Sequence, residues 1–599
     1  MSSPSQKYSV NQHLIETLLA WVKSGEIAIP EIQRPFVWDS TKVRDLMDSL
    51  YQGYPVGYII AWKNPTVRLK DGSLSEGRKI LIDGQQRVTA LTAALVGQKV
   101  IDKNYKEISI QIAFNPLEEK FEVSNPAICK SKQWLPDIAP IIQGEVGLLK
   151  LIRQYLEANP EANEEQLEPV FTKLLGLTKR QVGLIELNAD LDIETVTEIF
   201  IRINSKGVVL SQADFVMSKI AANESYGGNE LRKAIDYFCH LAVAPEFFPH
   251  IRDNDKEFAK TDYFSKMKWL KNENDDLYDP SYRDMLRVAF VSQFSRGRLE
   301  ELVALLSGRN FETREYEAAI EEDSYAKLKA GVEAFMSKTN FDRFVMIIKS
   351  AGFVDSKLIR AQSPLNFAYI LYLKLRQKKY SQPDIEKYVR RWFVLSMLTG
   401  RYSSSPESRY DQDIKMIESK PFDEFLKTTE DAVLSEGYWS TGLVQKLTRS
   451  NVSQPAFNVF LAAQAHANDR GFLSKEITVR NMLEHRGDIH HVNPKAYLKR
   501  NGHTRGSYNQ LANYVYMQQE TNIAVGDKPP SNYLGAVKKQ CETGEAKFGG
   551  IVDYDDLVKN MHENAVPIEL LEGDVEYVDF LEARRVLMAE KIRGYYFAL

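Results

Sequence analysis

The chain has 599 residues, 44% hydrophobic and 26% charged, with a formal net charge of −4 at neutral pH. Single cores rarely grow past about 250–300 residues, so several domains are expected, and this balance excludes large-scale disorder. Cys129, Cys239 and Cys541 are too few and too far apart for a disulfide framework or a zinc–thiolate site. No apolar run approaches the ~18–20 residues of a membrane span, and the N-terminal MSSPSQKYSVNQHL lacks the basic and apolar regions of a signal peptide. The expectation is a cytoplasmic protein with no membrane partner.

In chain order, Lys42 to Tyr51 reads as a helix, Val56 to Trp62 and Lys79 to Ile82 as short buried strands, and Val88 to Leu95 as a second helix. Ile108 to Val123 reads as a hairpin turning at Asn115-Pro116. A helix from Asp192 to Ile203 leads through a Gly207 turn to another, capped by Ser211 with Asp214 as capping-box partner. Alternation of this kind predicts an α/β or α+β domain over residues 1–225. Residues 226–454 show helical periodicity, as in Tyr325 to Phe335 and Ile385 to Leu398, and predict a helical middle domain. The polar stretch from Arg401 to Pro406 reads as an exposed loop. A third domain, residues 455–599, ends in a helix through Val578 to Ile592.

That third domain concentrates chemistry. Five of the nine histidines (His466, His485, His490, His491, His503) fall between residues 466 and 503. Between residues 480 and 540, nine basic residues face four acidic ones, a local charge of +5 in an acidic chain. A basic island is what a phosphate-backbone contact surface would look like, although a solvated face reads the same way on charge alone. At its centre, Asp488-Ile489-His490-His491-Val492-Asn493-Pro494 is followed by Asn513-Tyr514-Val515-Tyr516, then Asn522, then a Pro-Pro-Ser helix start. Phosphodiester hydrolysis needs a base for water and a cation for the charge on phosphorus, and a neutral imidazole can serve as that base. Adjacent strand residues point to opposite faces, so two neighbouring histidines can divide these tasks. A pair of loop histidines with two turn asparagines is the plainer alternative.

The ordered set resembles the HNH, or ββα-metal, nuclease motif. The resemblance implies His491 as general base, His490 and Asn522 as ligands of Mg²⁺ or Mn²⁺, and Asn513 as the residue that ties down the histidine loop. Lys495, Lys499, Arg500 and Arg505 would then contact DNA. His485 and His503 are weaker candidates: His503 reads as a solvated loop residue ahead of a phosphate contact.

The first domain holds a second constellation. Ile29-Pro30-Glu31-Ile32-Gln33-Arg34-Pro35-Phe36-Val37-Trp38 precedes Leu81-Ile82-Asp83-Gly84-Gln85-Gln86-Arg87, which ends a strand and opens a helix. Free N–H groups at a helix start bind anions, glycine permits close approach, and arginines can grip phosphate oxygens in pairs. A tight turn with a surface arginine is the plain alternative. Gly72 to Lys79 misses a P-loop: it lacks the Lys-Ser/Thr and leads into a strand.

These segments, with Phe200-Ile201-Arg202-Ile203-Asn204-Ser205-Lys206-Gly207, resemble the ParB-related NTPase module of the GmrSD family of type IV, modification-dependent restriction enzymes, which BrxU and SspE also resemble. The resemblance implies an α+β multidomain protein: a ParB-like α/β domain, a helical middle that transmits nucleotide state, and an HNH-like nuclease. It implies a nucleoside triphosphate site lined by Gln33, Arg34, Asp83, Gly84, Gln85, Gln86, Arg87 and Asn204. The expected substrate is DNA, above all modified phage DNA, and association as a homodimer stays open. Two rivals are a nucleotide-dependent DNA- or partner-binding switch with an inert HNH fold, and a toxin nuclease directed at RNA or the host.

Overall fold

The computed structural model describes residues 7–28, 38–63, 79–101, 107–189, 191, 195–196, 212–223, 225–272, 277–485 and 487–599. The chain is a mixed α+β protein, mostly helical with small sheets. It forms two compact units, Met1–Lys271 with Glu300–Tyr325 and Asn272–Leu299 with Ala326–Leu599.

The first unit is built on a five-stranded sheet of order β1-β9-β3-β4-β2. Its elements are β1 (Tyr8–Leu14), α1 (Ile15–Ser24), β2 (Ile27–Ala28), α2 (Ser40–Gln52), β3 (Tyr58–Lys63), β4 (Lys79–Asp83), α3 (Gln85–Val96) and, later, β9 (Gln181–Leu187). Strand β3 pairs antiparallel with β4 and parallel with β9, and β1 closes one edge antiparallel to β9. Helices α2 and α3 bury Val43, Met47, Leu50, Tyr51, Val88 and Leu91 in one cluster with Ile59, Ala61, Leu81 and Leu184 of the sheet. That spacing of apolar residues by three and four is why both segments are helical. Asp39 caps α2 by accepting from Lys42 N at 2.8 Å, and Gly53 ends it in the left-handed conformation (φ 76°).

The predicted hairpin is shorter than expected. Strands β7 (Ile112–Asn115) and β8 (Lys120–Val123) form it, with Asn115 Oδ1 accepting from Leu117 N in the turn. Ile108 belongs instead to β6 (Glu107–Ile108), which pairs with β5 (Val100–Ile101). Helix α4 (Gln212–Ala222) follows; Ser211 and most of the expected 192–203 helix lie outside the described residues.

In the second unit, α5 (Gln362–Gln377), α6 (Gln382–Thr399) and α7 (Pro406–Ser419) surround an aromatic core in which Phe344 stacks on Tyr369 at 4.5 Å. The stretch expected as an exposed loop is only half so. Ser403, Ser404 and Ser405 are exposed, but Tyr402 is buried, donating to Asp413 at 2.8 Å, and Arg401 grips the same carboxylate at 2.7 Å. A buried carboxylate needs such partners, and Asp413 turns the polar segment inward. Helix α8 (Pro455–Ala467) packs on both α6 and the C-terminal α13 (Tyr577–Ala598), so the middle helices and the last third share a core. Between them lie β10 (Ile489–His491), α9 (Lys495–Arg500), α10 (Arg505–Tyr508), β11 (Tyr514–Tyr516), α11 (Gln519–Val525) and α12 (Pro530–Thr543). No helix among the described residues is long and apolar enough to cross a membrane.

Candidate functional site

In the first unit, Asp83 ends β4 opposite Ile60, Gly84 caps α3, and Gln85, Gln86 and Arg87 form its first turn. Gly84 has φ +93°, and a Cβ there would lie 3.1 Å from the Ile59 side chain, so glycine is required twice over. Arg87 is no free surface arginine. Its Nη1 donates to the Tyr58 carbonyl at 2.6 Å, and its guanidinium lies against Gly57, where a Cβ would come within 3.2 Å of it. The turn therefore ties the start of α3 to the start of β3. Gln33, Arg34 and Asn204 lie outside the described residues.

In the second unit, β10 and β11 pair antiparallel, His490 facing Val515 and His491 facing Tyr514, and the chain then enters α11 with Asn522 in its middle. Phe472 N donates to the Tyr516 carbonyl at 2.8 Å and adds a third segment beside β11. His490 and His491 are neighbours on one short strand and differ in every contact. The Nε2 of His490 is buried without a hydrogen-bond partner among the described residues. Burial pulls the His490 pKa below the ordinary imidazole value, partly opposed by the charge of Asp488. His491 is also pulled down by burial; its bond to Asn509 opposes this, and Lys495 and His490 add to it. Both rings are thus held neutral at neutral pH, the form that binds a cation or accepts a proton. The His491 Nε2 lies 3.1 Å from Asn509 Oδ1, and Tyr514 meets the ring edge-on at 5.1 Å.

Asn513 is fully buried and ties the histidine loop from both sides. Its Oδ1 accepts from Asn493 N at 2.8 Å, while Nδ2 donates to Asn493 O at 3.1 Å and Tyr508 O at 3.2 Å. Val492 N donates to the Asn513 carbonyl at 2.8 Å. Asn522 is half-buried, and its side chain makes no hydrogen bond among the described residues. Among those residues no three His, Cys, Asp or Glu side chains converge. A cation here would rest on the unpartnered His490 Nε2 and the Asn522 amide oxygen, with water or phosphate completing its shell. The amide oxygen and water of that set suit Mg²⁺ or Mn²⁺, while the imidazole nitrogen is a ligand that softer transition metals also favour.

The four expected DNA-contacting cations divide. Lys495, Lys499 and Arg505 are exposed and pair with no carboxylate among the described residues; both lysines flank the Tyr508 ring, at 5.7 and 5.9 Å. Arg500 is engaged with the Asp527 carboxylate and carbonyl. His503 is not a solvated loop residue: it bonds Ser507 Oγ at 3.0 Å and sits edge-on to Tyr577. His485 is exposed and bonds the Asn481 carbonyl.

Residues 15–221 match the model of the GmrSD restriction endonuclease N-terminal domain. An uncharacterized protein of Methanocaldococcus jannaschii, MJ0686, is 21% identical over 97% of this chain and 98% of its own length; its name carries no activity. The GmrSD match contains the Asp83–Arg87 turn and supports a restriction endonuclease of the GmrSD type, with DNA as its substrate. The histidine site lies beyond the matched residues.

Four residues around that site escaped the sequence reading. Asn509 bonds His491. Tyr533 OH donates to the Val492 carbonyl at 2.8 Å. Tyr577 OH donates to Ser507 O at 3.0 Å and Tyr508 O at 3.4 Å. Arg584, fully buried, donates to the carbonyls of Ala512 (2.8 Å), Tyr514 (2.7 Å) and Asn564 (3.2 Å). Burial pushes its pKa down to about 9, which leaves it cationic at neutral pH. The one local signal was an arginine amid the apolar residues of the last helix.

Proposed function

We propose that this chain is a nucleotide-regulated, metal-dependent DNA endonuclease of the type IV restriction class, with an HNH-type site on β10, β11 and α11. The observation that carries the reading is the buried, unpartnered Nε2 of His490 beside a second neutral imidazole on a two-stranded ribbon that leads into a helix. A bare buried ring nitrogen is costly unless a ligand takes it, and a cation is the natural one. Bound there by His490 and Asn522, Mg²⁺ or Mn²⁺ would stabilise charge on the scissile phosphate. His491 accepts the proton of the attacking water. Lys495, Lys499 and Arg505 draw the DNA backbone to the site. The GmrSD-type domain binds a nucleoside triphosphate at the start of α3, where the positive end of the helix and the Arg87 guanidinium attract phosphate.

The test is digestion of unmodified, hydroxymethylated, glucosylated and phosphorothioated DNA with Mg²⁺ or Mn²⁺, each with and without nucleotide. Expected is cation-dependent cutting of at least one modified substrate, with nucleotide changing the rate. No cutting of any substrate under any of these conditions would overturn the reading.

A further inference from the structure

Resting on the nuclease reading, we propose that Asn509 is a positioning residue: its side-chain oxygen holds the proton of His491 on Nε2 and so makes Nδ1 the atom that receives a proton from water. A neutral imidazole carries one donor and one acceptor nitrogen, and the partner of one decides the role of the other. Asn509 Oδ1 stands 3.1 Å from Nε2, and Nδ1 has no hydrogen-bond partner among the described residues.

The pair is braced from both ends. Asn513 reaches with one amide group to Asn493 O, two residues past His491, and to Tyr508 O, one residue before Asn509. Tyr577 OH bonds the same Tyr508 carbonyl and that of Ser507. Asn509 itself ends α10 with φ −88° and ψ 74°, outside the helix, which frees its side chain to turn toward the strand. The edge-on Tyr514 ring limits rotation of the imidazole. Buried Asn513 thus fixes the spacing of His491 and Asn509, and Asn509 fixes which ring nitrogen is bare.

The experiment compares Asn509→Leu, which removes the acceptor at similar volume, with Asn509→Asp, which keeps it. Steady-state cleavage of DNA with Mg²⁺ is measured beside the ¹⁵N imidazole spectrum of the metal-free full-length protein, with His491 assigned through His491→Gln. The wild type should show His491 as one neutral tautomer, protonated on Nε2. Asn509→Leu should show both tautomers and lose about ten- to a hundredfold in kcat, the usual cost of an orienting partner, with KM nearly unchanged. Asn509→Asp should keep the Nε2–H tautomer and most of kcat, which separates the acceptor from a merely structural role. An Nδ1–H tautomer in the wild type would overturn the proposal, as would Asn509→Leu with wild-type kcat. If the wild type cuts no DNA, the nuclease reading fails; the tautomer, read without DNA or metal, still decides for or against Asn509.

Discussion

The turn at Gly84 and the ribbon at His490–His491 are both short backbone reversals that present nitrogen donors or ligands, yet they are held in different ways. At Gly84 the backbone does the holding. A left-handed glycine shapes the turn, and a bond from Arg87 to the Tyr58 carbonyl ties it to β3. At the histidines, side chains from up to 72 residues away hold the backbone: Asn513, Tyr533, Tyr577 and Arg584 all bond main-chain atoms of the loop or of β11. A backbone-built site is most sensitive at its glycine and arginine. A site braced by side chains fails when any brace is removed, and its chemistry is separable from its scaffold.

The largest effect should come from the chemistry alone. His491→Ala is expected to lower cleavage by about 10²–10⁴, the usual range for a general base, while DNA binding, folding and nucleotide binding persist. Near wild-type cleavage by the folded variant would break the assignment of the base. It would also remove the functional contrast between the two regions.

Next comes the scaffold. Arg584→Met leaves the carbonyls of Ala512, Tyr514 and Asn564 buried without their donor. Each such group costs about 1–3 kcal/mol, so a loss of about 3 kcal/mol in stability is expected, with cleavage falling alongside. Neighbouring Arg585, half-exposed and bonded among the described residues only to Gln510 at 3.3 Å, should tolerate the same change. Equal melting curves for Arg584→Met and the wild type would show that β11 does not depend on this brace.

The same difference explains what could be read from the sequence. The strand–Gly84–helix turn was legible because its causes are local: an apolar strand, a glycine, and a helix with its apolar face at three- and four-residue spacing. The His490-His491 pair and the strand before Asn522 were legible for the same reason. Asn509, Tyr533, Tyr577 and Arg584 carried no such signal, since each acts across a distance that periodicity does not span. The burial of Tyr402 was missed likewise, because Asp413, eleven residues on, draws a polar segment inward. Even Arg87 was read only halfway: its helix-start position was plain, but its grip on Tyr58, 29 residues back, was not.

Arg87 offers the third test. Arg87→Ala removes the guanidinium beside the start of α3 and should weaken nucleoside triphosphate binding about ten- to a hundredfold, the equivalent of one charged hydrogen bond. Calorimetry with ATP, GTP, CTP and UTP measures it. Because Arg87 also bonds Tyr58, a melting curve must accompany it: an affinity loss without a matching stability loss marks a ligand contact. No binding of any nucleotide by the wild type would end the ligand reading of the turn and leave a purely architectural one.

The smallest effect concerns the DNA-facing charges, where the structure alters a simple count. Four cations were expected on this face, but Arg500 is committed to Asp527, and only Lys495, Lys499 and Arg505 stand without a carboxylate partner among the described residues. Each phosphate neutralised on duplex DNA contributes about 0.9 to the salt exponent, so three give about 2.7. A fourfold rise in salt, from about 50 to about 200 mM, should then weaken binding about 40-fold through these residues. Lys495→Ala and Lys499→Ala should each lower the exponent by about one, whereas Arg500→Ala should barely move it, because its charge is already balanced. Fluorescence anisotropy of a labelled duplex across a salt series reads all of these slopes directly. If Arg500→Ala lowers the exponent as much as Lys495→Ala does, the Asp527 pair opens on DNA, and this face presents four cations rather than three. If none of the three variants changes the slope, DNA approaches the histidine ribbon from another side. The scaffold contrast would then stand, but without the basic island as the nuclease's DNA face.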